Sequence, residues 1–184
     1  MTQPDKQRGR GKQIQPTPVK EAALRLGLPV YQPAKVRDPE FIKVLEELQP
    51  EGIVVAAFGQ IIPQAILDLP KYGCVNVHAS LLPAYRGAAP IQWAVINGEE
   101  ESGVTIMQMD AGLDTGDMLT KVVVPLEREE TGGSLFEKLS QAGAKLLVET
   151  LEKLEAGTVV PEKQPEESTT EYARMIKKED GKID

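Results

Sequence analysis

The sequence predicts an α/β fold on a mostly parallel sheet, and three observations carry that prediction. Residues 53–57, Ile-Val-Val-Ala-Ala, form a continuous apolar run, the pattern of a strand covered on both faces. A second short run, Cys74-Val-Asn-Val-His78, alternates apolar and polar side chains. Between them a segment opened by Pro63 and running through Leu67 has room for one short helix. Strand, helix and strand with short links imply a parallel, right-handed crossover. A chain of 184 residues is long enough for a domain with its own core.

Taken in order, residues 2–18 are polar, basic and punctuated by Pro4, Gly9, Gly11, Pro16 and Pro18, which predicts an exposed loop without a regular element. Lys6, Arg8, Arg10 and Lys12 suit phosphate contact there, and equally suit a solvated terminus. Thr17 as N-cap, with Pro18 in the first helical position, starts a helix that Gly27 stops after Leu26. Leu28 to Tyr31 is a short strand or an extended link. Asp38-Pro39 opens a second helix by the same device, with Phe41, Ile42, Leu45 and Leu48 at helical spacing, and Pro50 closes it. After the strand at 74–78, residues 88–96 predict a helix carrying Trp93 and ended by Asn97-Gly98. Residues 103–109 and 118–124 are rich in β-formers. The polar stretch between them, Asp110-Ala-Gly-Leu-Asp-Thr-Gly-Asp117, is too long for a tight hairpin. Thr131 or Ser134 caps a long helix ended by Gly157, whose expected buried stripe is Leu135, Leu139, Ala142, Leu146, Val148, Leu151 and Leu154. Residues 161–184 are acidic and polar, an extended arm with at most a turn of helix. A doubly wound sheet places its first strand at the centre, whereas this chain opens on a loop. The expectation is a sheet truncated at its N-terminus by one βαβ unit.

The formal net charge of −7 argues against a surface that coats nucleic acid generally, although Lys6, Arg8, Arg10, Lys12 and Lys20 gather near the start against Asp5 alone. One cysteine excludes an intrachain disulfide framework and fits a reducing compartment. One cysteine and one histidine leave no ligand set for a structural zinc site. No run approaches membrane length and no signal peptide is visible at Met1, so a soluble cytoplasmic protein is expected.

The chemistry concentrates at the second strand. Alternation puts Asn76 and His78 on one face and Val75 and Val77 on the other. Ligands gather at the carboxyl ends of strands in open α/β sheets. An amide donor beside an imidazole there suits a carbonyl whose oxygen gains charge during reaction. The plainer alternatives stand beside this reading: His78 as an ordinary satisfied polar residue, Asn76 as a turn closer, and Asp114 as a turn aspartate in a Gly-rich loop. Cys74 reads as a small buried hydrophobe. Trp93 and the long helix stripe read as packing.

Three segments, Asn76-Val-His-Ala-Ser-Leu-Leu-Pro83, Arg86-Gly-Ala-Ala-Pro-Ile91 and Asp110 to Asp117, together resemble the 10-formyltetrahydrofolate-dependent formyltransferases over nearly the whole chain. The resemblance implies a Rossmann-like formyltransferase domain in which Asn76, His78 and Asp114 are the catalytic set. It implies 10-formyltetrahydrofolate as formyl donor and no metal. A slot for the flat pteridine would be walled by Phe58, Gly59, Gln60, Ile61 and Ile62 on one side and by Ser80, Leu81, Leu82 and Pro83 on another. The loop from Asp110 to Asp114 would close it. The Ile61-Ile62 pair reads equally well as core.

Gln3-Pro-Asp-Lys6, Arg8-Gly-Arg-Gly-Lys12 and Pro16-Thr-Pro-Val-Lys20 resemble the loop of those members that act on initiator methionyl-tRNA. That implies Lys6, Arg8, Arg10 and Lys12 as tRNA contacts, and a role in translation initiation. Other members, with a sugar amine or glycinamide ribonucleotide as acceptor, are the alternative within the family, and a catalytically inactive fragment is the alternative outside it. Residues 1–160 are then a partial catalytic domain and 161–184 an arm toward a further domain. The family's amino-terminal Gly-Thr-Pro-x-Phe turn and carboxyl-terminal barrel do not occur in the chain. A monomer is expected.

Overall fold

The structure is a computed structural model that describes the backbone of residues 1–8 and 13–181. It divides into two compact units, one of Met1–Pro50 with Phe58–Leu69 and the other of Glu51–Ala57 with Pro70–Asp184.

In the first unit, β1 (Lys6–Arg8) pairs antiparallel with β2 (Gln13–Gln15), Lys6 opposite Gln15 and Arg8 opposite Gln13. This corrects the expectation of a loop without regular structure. Pro4, Pro16 and Pro18 flank the two strands rather than interrupt them, so no ladder donor is lost. Gly9 and Gly11 fall in the connection, outside the described residues. The base of the hairpin is tied down: Thr2 and Thr17 share a hydroxyl hydrogen bond of 2.6 Å, and Lys20 Nζ lies 2.6 Å from Asp5 Oδ2.

Helix α1 (Pro18–Arg25) begins as its sequence requires, with the Thr17 side chain accepting from Lys20 N at 3.2 Å, and Gly27 turns out of it at φ 68°. Leu28 to Tyr31 form an irregular link. Helix α2 (Pro39–Leu48) has Asp38 at its N-cap but no side-chain capping bond, and of its predicted apolar face only Phe41 is buried. Helix α3 (Gln64–Leu67) follows Pro63 and buries Ile66 and Leu67.

The second unit is a four-stranded sheet in the order β3 (Ile53–Ala56), β4 (Cys74–His78), β5 (Glu101–Gln108), β6 (Met118–Pro125). β3 and β4 run parallel, as the crossover required, with Ile53 opposite Cys74. β4–β5 and β5–β6 are antiparallel, so the sheet is mixed where a mostly parallel one was expected. For β5–β6 the reason is local: the 109–117 loop returns the chain beside itself, which a parallel neighbour would not allow. β3 sits at the sheet edge and buries Val55 while Val54, on the other face, stays exposed, so the expected cover on both faces is not found.

Helix α4 (Pro90–Ile96) precedes β5, and the long α5 (Gly132–Glu155) lies on β5 and β6. Thr131 and Ser134 both cap α5, each side chain bonding the other residue's backbone N–H. The core gathers Val75, Val104, Ile106, Leu119, Leu135 and Leu139 with Tyr85, Ile91 and Ala94. Each fully buried aliphatic side chain there contributes about 1.5–3 kcal/mol. The α5 stripe differs from expectation at two places. Val148 and Leu151 are exposed, and Gly143, Leu147 and Thr150 take the inward positions, in step with a true 3.6-residue turn. A Cβ on Gly143 would lie 3.3 Å from Val77 and Val104 methyls, so the missing side chain lets α5 lie close over β4 and β5.

The arm after Gly157 is docked. Glu162 bridges to Met118, Ala173 bridges to Gly87, and a 3₁₀ turn spans Lys178–Gly181. Among the described residues no helix is long and apolar enough to cross a membrane.

Candidate active site

Strand β4 places the site. Val75 belongs to the core and Val77 packs against it beside Gly143, which leaves Asn76 and His78 on the opposite face. His78 is buried at the strand's carboxyl end, and each ring nitrogen faces an oxygen. Nε2 lies 3.0 Å from the Tyr85 carbonyl, and Nδ1 lies 3.7 Å from Asp114 Oδ1. A carbonyl oxygen only accepts, so Nε2 carries a hydrogen. The Nδ1–Asp114 approach is an ion-pair distance rather than a formed hydrogen bond.

Both residues that face the imidazole adopt left-handed backbone, Tyr85 at φ 56° and Asp114 at φ 56°. Such conformations cost of order 1–3 kcal/mol in non-glycine residues and persist where surrounding bonds enforce them. Here those bonds are visible. Tyr85 N donates to Thr170 Oγ1 at 2.7 Å. The Tyr85 hydroxyl donates to the Glu99 carboxylate and accepts from Asn97 Nδ2 at 2.9 Å. Burial and the Glu99 carboxylate push the Tyr85 phenol above its usual range, with Asn97 opposing them. Asp114 Oδ2 accepts from Gly87 N at 2.9 Å, so the carboxylate spans the turn after β4 and the imidazole.

A layer of buried polar groups holds the two loops. Gln164 Nε2 donates to Asp114 O at 2.9 Å and Gly116 O at 2.7 Å, and its Oε1 accepts from Arg86 Nε at 3.0 Å. Arg86 donates further to the carbonyls of Pro165 at 2.8 Å and Glu166 at 3.1 Å. Among the described residues no buried side-chain polar atom is left without a partner.

The other expected site residues are distributed less simply. Ser80 is buried, its hydroxyl donating to Ala84 O at 2.6 Å, and Leu82 packs with Met107 and Met118. These side chains turn into the protein, while Leu81 and Pro83 are half-buried. Asp110 is exposed and organises its own loop, accepting from Gly112 N and Thr115 Oγ1, both at 2.9 Å. Phe58, Gly59, Gln60, Ile61 and Ile62 follow β3 in the chain and belong to the first unit. There the Phe58 carbonyl accepts from Gln3, Gln60 Oε1 accepts from Val36 N, and Ile62 is buried while Ile61 is 79 % exposed. Lys6 is exposed on β1, Arg8 ends that strand, and Arg10 and Lys12 lie outside the described residues. Among the described residues no three potential ligand side chains cluster to hold a metal.

Tyr85, Gln164 and Thr170 escaped the sequence reading. Tyr85 acts through its carbonyl, which no side-chain pattern reports, and the other two sit in a polar arm without periodicity.

The formyl transferase family model matches residues 1–151. Over its whole length the chain is 59 % identical to the methionyl-tRNA formyltransferase of Citrifermentans bemidjiense and spans 58 % of that protein. It is 58 % identical to the enzyme of the same name from Caldanaerobacter subterraneus subsp. tengcongensis and spans 60 % of it. The chain thus covers about three-fifths of the length of these curated relatives. Among solved structures it resembles a phosphoribosylglycinamide formyltransferase from Bacillus halodurans, with TM-score 0.67, 30 % identity, and 74 % of each chain covered. It also resembles the formyltransferase PseJ from Anoxybacillus kamchatkensis, solved in complex with a UDP-linked formamido sugar and tetrahydrofolate, with TM-score 0.68, 25 % identity, and 85 % of this chain and 80 % of that one covered.

Proposed function

The chain belongs to the formyl transferase family, and from that membership we propose that it transfers a formyl group from 10-formyltetrahydrofolate to the amino group of methionyl-initiator tRNA, in the cytoplasm, at the start of translation. The observation that carries the reading is the pairing of His78 with Asp114 on the face of β4 that also bears Asn76. The high identity to tRNA-directed relatives favours this acceptor over a sugar amine or glycinamide ribonucleotide. Residues 1–160 form the catalytic part and 161–184 the arm, in a protein that works as a monomer and without metal.

The chemistry follows from the donor set. The acceptor amine forms a bond to the formyl carbon, whose oxygen becomes an oxyanion. The carbon–nitrogen bond to the folate then breaks, the amine loses one proton and the folate nitrogen gains one. Asn76 donates its amide N–H to the oxyanion, an interaction whose loss typically costs about 10²–10³ in rate. His78 carries the proton between the two nitrogens through Nδ1, the nitrogen with the looser contact, while the Tyr85 carbonyl fixes the ring through Nε2. Asp114 orients the ring and offsets the charge it gains. The amine attacks directly, so no covalent intermediate with the protein is formed.

For folate, the half-buried Leu81 and Pro83 offer apolar surface in the second unit, and the loop from Asp110 to Asp114 brings main-chain groups. Phe58, Gly59, Gln60, Ile61 and Ile62, in the first unit, remain proposed folate contacts on the strength of the family resemblance, as do Ser80 and Leu82 in the second.

The test is formyl transfer to charged initiator tRNA with 10-formyltetrahydrofolate as donor. His78→Ala abolishes turnover while folate still binds; a near-normal rate removes His78 from the mechanism. Neutralising Arg8, Arg10 and Lys12 weakens use of tRNA and flattens its dependence on salt. An unchanged slope takes the β1–β2 segment, Lys6 included, out of the interface. Activity on a free small amine with none on charged tRNA would select a different acceptor.

A further inference from the structure

Gln164 is 5 % exposed and uses three of its hydrogen-bonding positions on two different loops. Its two N–H groups end on Asp114 O and Gly116 O, and its oxygen receives Arg86, the neighbour in sequence of the residue whose carbonyl meets His78. The side chain therefore joins the 110–117 loop to the turn after β4, which between them supply both oxygens facing the imidazole. Asp114 holds a left-handed backbone, which aspartate tolerates better than most side-chain-bearing residues, and the Gln164 bond to its carbonyl helps to hold the main chain there. Arg86 fixes the other side of the amide by gripping the carbonyls of Pro165 and Glu166, so Gln164 can neither rotate nor withdraw with its segment. It touches neither His78 nor the face of β4 where a substrate would lie.

We propose that Gln164 is a positioning residue: it locks the 114–116 segment so that the Asp114 carboxylate faces His78 Nδ1, and it affects formyl transfer only through that carboxylate. The proposal rests on reading this centre as the formyl-transfer site. Its test is chosen so that the two can fail separately.

Two variants are compared in the intact protein. Gln164→Leu removes all three bonds at similar volume. Gln164→Glu keeps an acceptor for Arg86, and so the arm's docking, but removes both donors to the loop. Each lowers kcat by about 10- to 100-fold, the scale for a catalytic group displaced by about 1 Å, with KM changed by less than about twofold. Added to Asp114→Asn, either costs less than about twofold more, because a residue acting through Asp114 has nothing left to act on. Losses that multiply in the double variants would overturn the proposal, since a merely structural role adds independently. If Gln164→Leu fails to fold, Gln164→Glu decides alone.

A second readout needs no activity. His78 is the only histidine in the chain, so the imidazole ¹⁵N resonances report it without ambiguity. Gln164→Glu moves the Nδ1 resonance toward its position in Asp114→Asn; a resonance left at the wild-type position overturns the proposal. A wild-type protein that transfers no formyl group to any acceptor removes the functional reading, and the resonance comparison still decides the role of Gln164.

Discussion

Gly116→Ala tests whether the 110–117 loop places Asp114. A methyl carbon on Gly116 would sit 1.7 Å from the Gln108 carbonyl oxygen, against an ordinary carbon–oxygen contact of about 3.3 Å. Something must retreat by about 1.6 Å. Gln108 cannot yield easily, because it ends β5 and its N–H is committed to Asp117 O at 2.8 Å. The loop yields instead and carries Asp114, two residues away, out of line with His78. A displacement of that size at a catalytic group costs about 10²-fold in kcat, while local overpacking costs about 1–3 kcal/mol of stability. The assay is steady-state formyl transfer beside a thermal melt. Gly132→Ala is the control: nothing lies within 4 Å of its Cβ position, it opens α5 far from the site, and about 0.4–1 kcal/mol of stabilisation with unchanged kcat is expected. Gly116→Ala turning over within about twofold of wild type would refute the claim that this loop must be rigid.

Other expectations concern the scaffold. Leu135→Ala removes a fully buried side chain beneath α5 and costs about 2–5 kcal/mol by urea denaturation; a loss under 1 kcal/mol would mean the core is not where the structure puts it. Thr150 donates to Leu146 O and shares a 2.6 Å hydrogen bond with the Thr120 hydroxyl, so Thr150→Val strands a part-buried partner and destabilises by about 1–3 kcal/mol. Lys138, then Ser134 and the Glu127 backbone, hold the Glu130 carboxyl down to about 2 from 4.5. A depressed carboxylate contributes stability above its unfolded value and loses it as pH falls through its folded one. Glu130→Gln is therefore less stable than wild type at neutral pH, and the gap closes between pH 4.5 and about 2. A gap constant across that window would show that the Glu130 charge plays no part at the start of α5.

Much of the fold could be read in advance because its signals are local. Thr17-Pro18 and Asp38-Pro39 start helices where the chemistry of N-terminal turns demands it, and the 74–78 strand is matched at both ends. His78 and Asp114 could be paired through family motifs, and they meet. The failures share a cause. The antiparallel return of β5 and β6, the hairpin at 6–15 and the exposure of Val148 all depend on which distant segment lies opposite, and residue order does not encode that directly. Gln164 is the clearest case. It sits among Pro, Glu and Lys in a stretch with no periodicity, and its importance comes from three partners 48 to 78 residues away.

That distance in sequence becomes a delay in time. Tyr85 N waits for Thr170, and Gly87 for Ala173, so the groups around His78 lack their final partners until about ninety more residues have left the ribosome. At elongation speeds of up to about 20 residues per second, the interval between translating His78 and translating Ala173 is at least several seconds. Throughout it a nascent copy owns the reactive side chains but not their arrangement. On the proposed function, onset of formyl transfer is coupled to emergence of the arm, and a protease that clips the arm ahead of Gln164 would silence it without touching the His78–Asp114 pair.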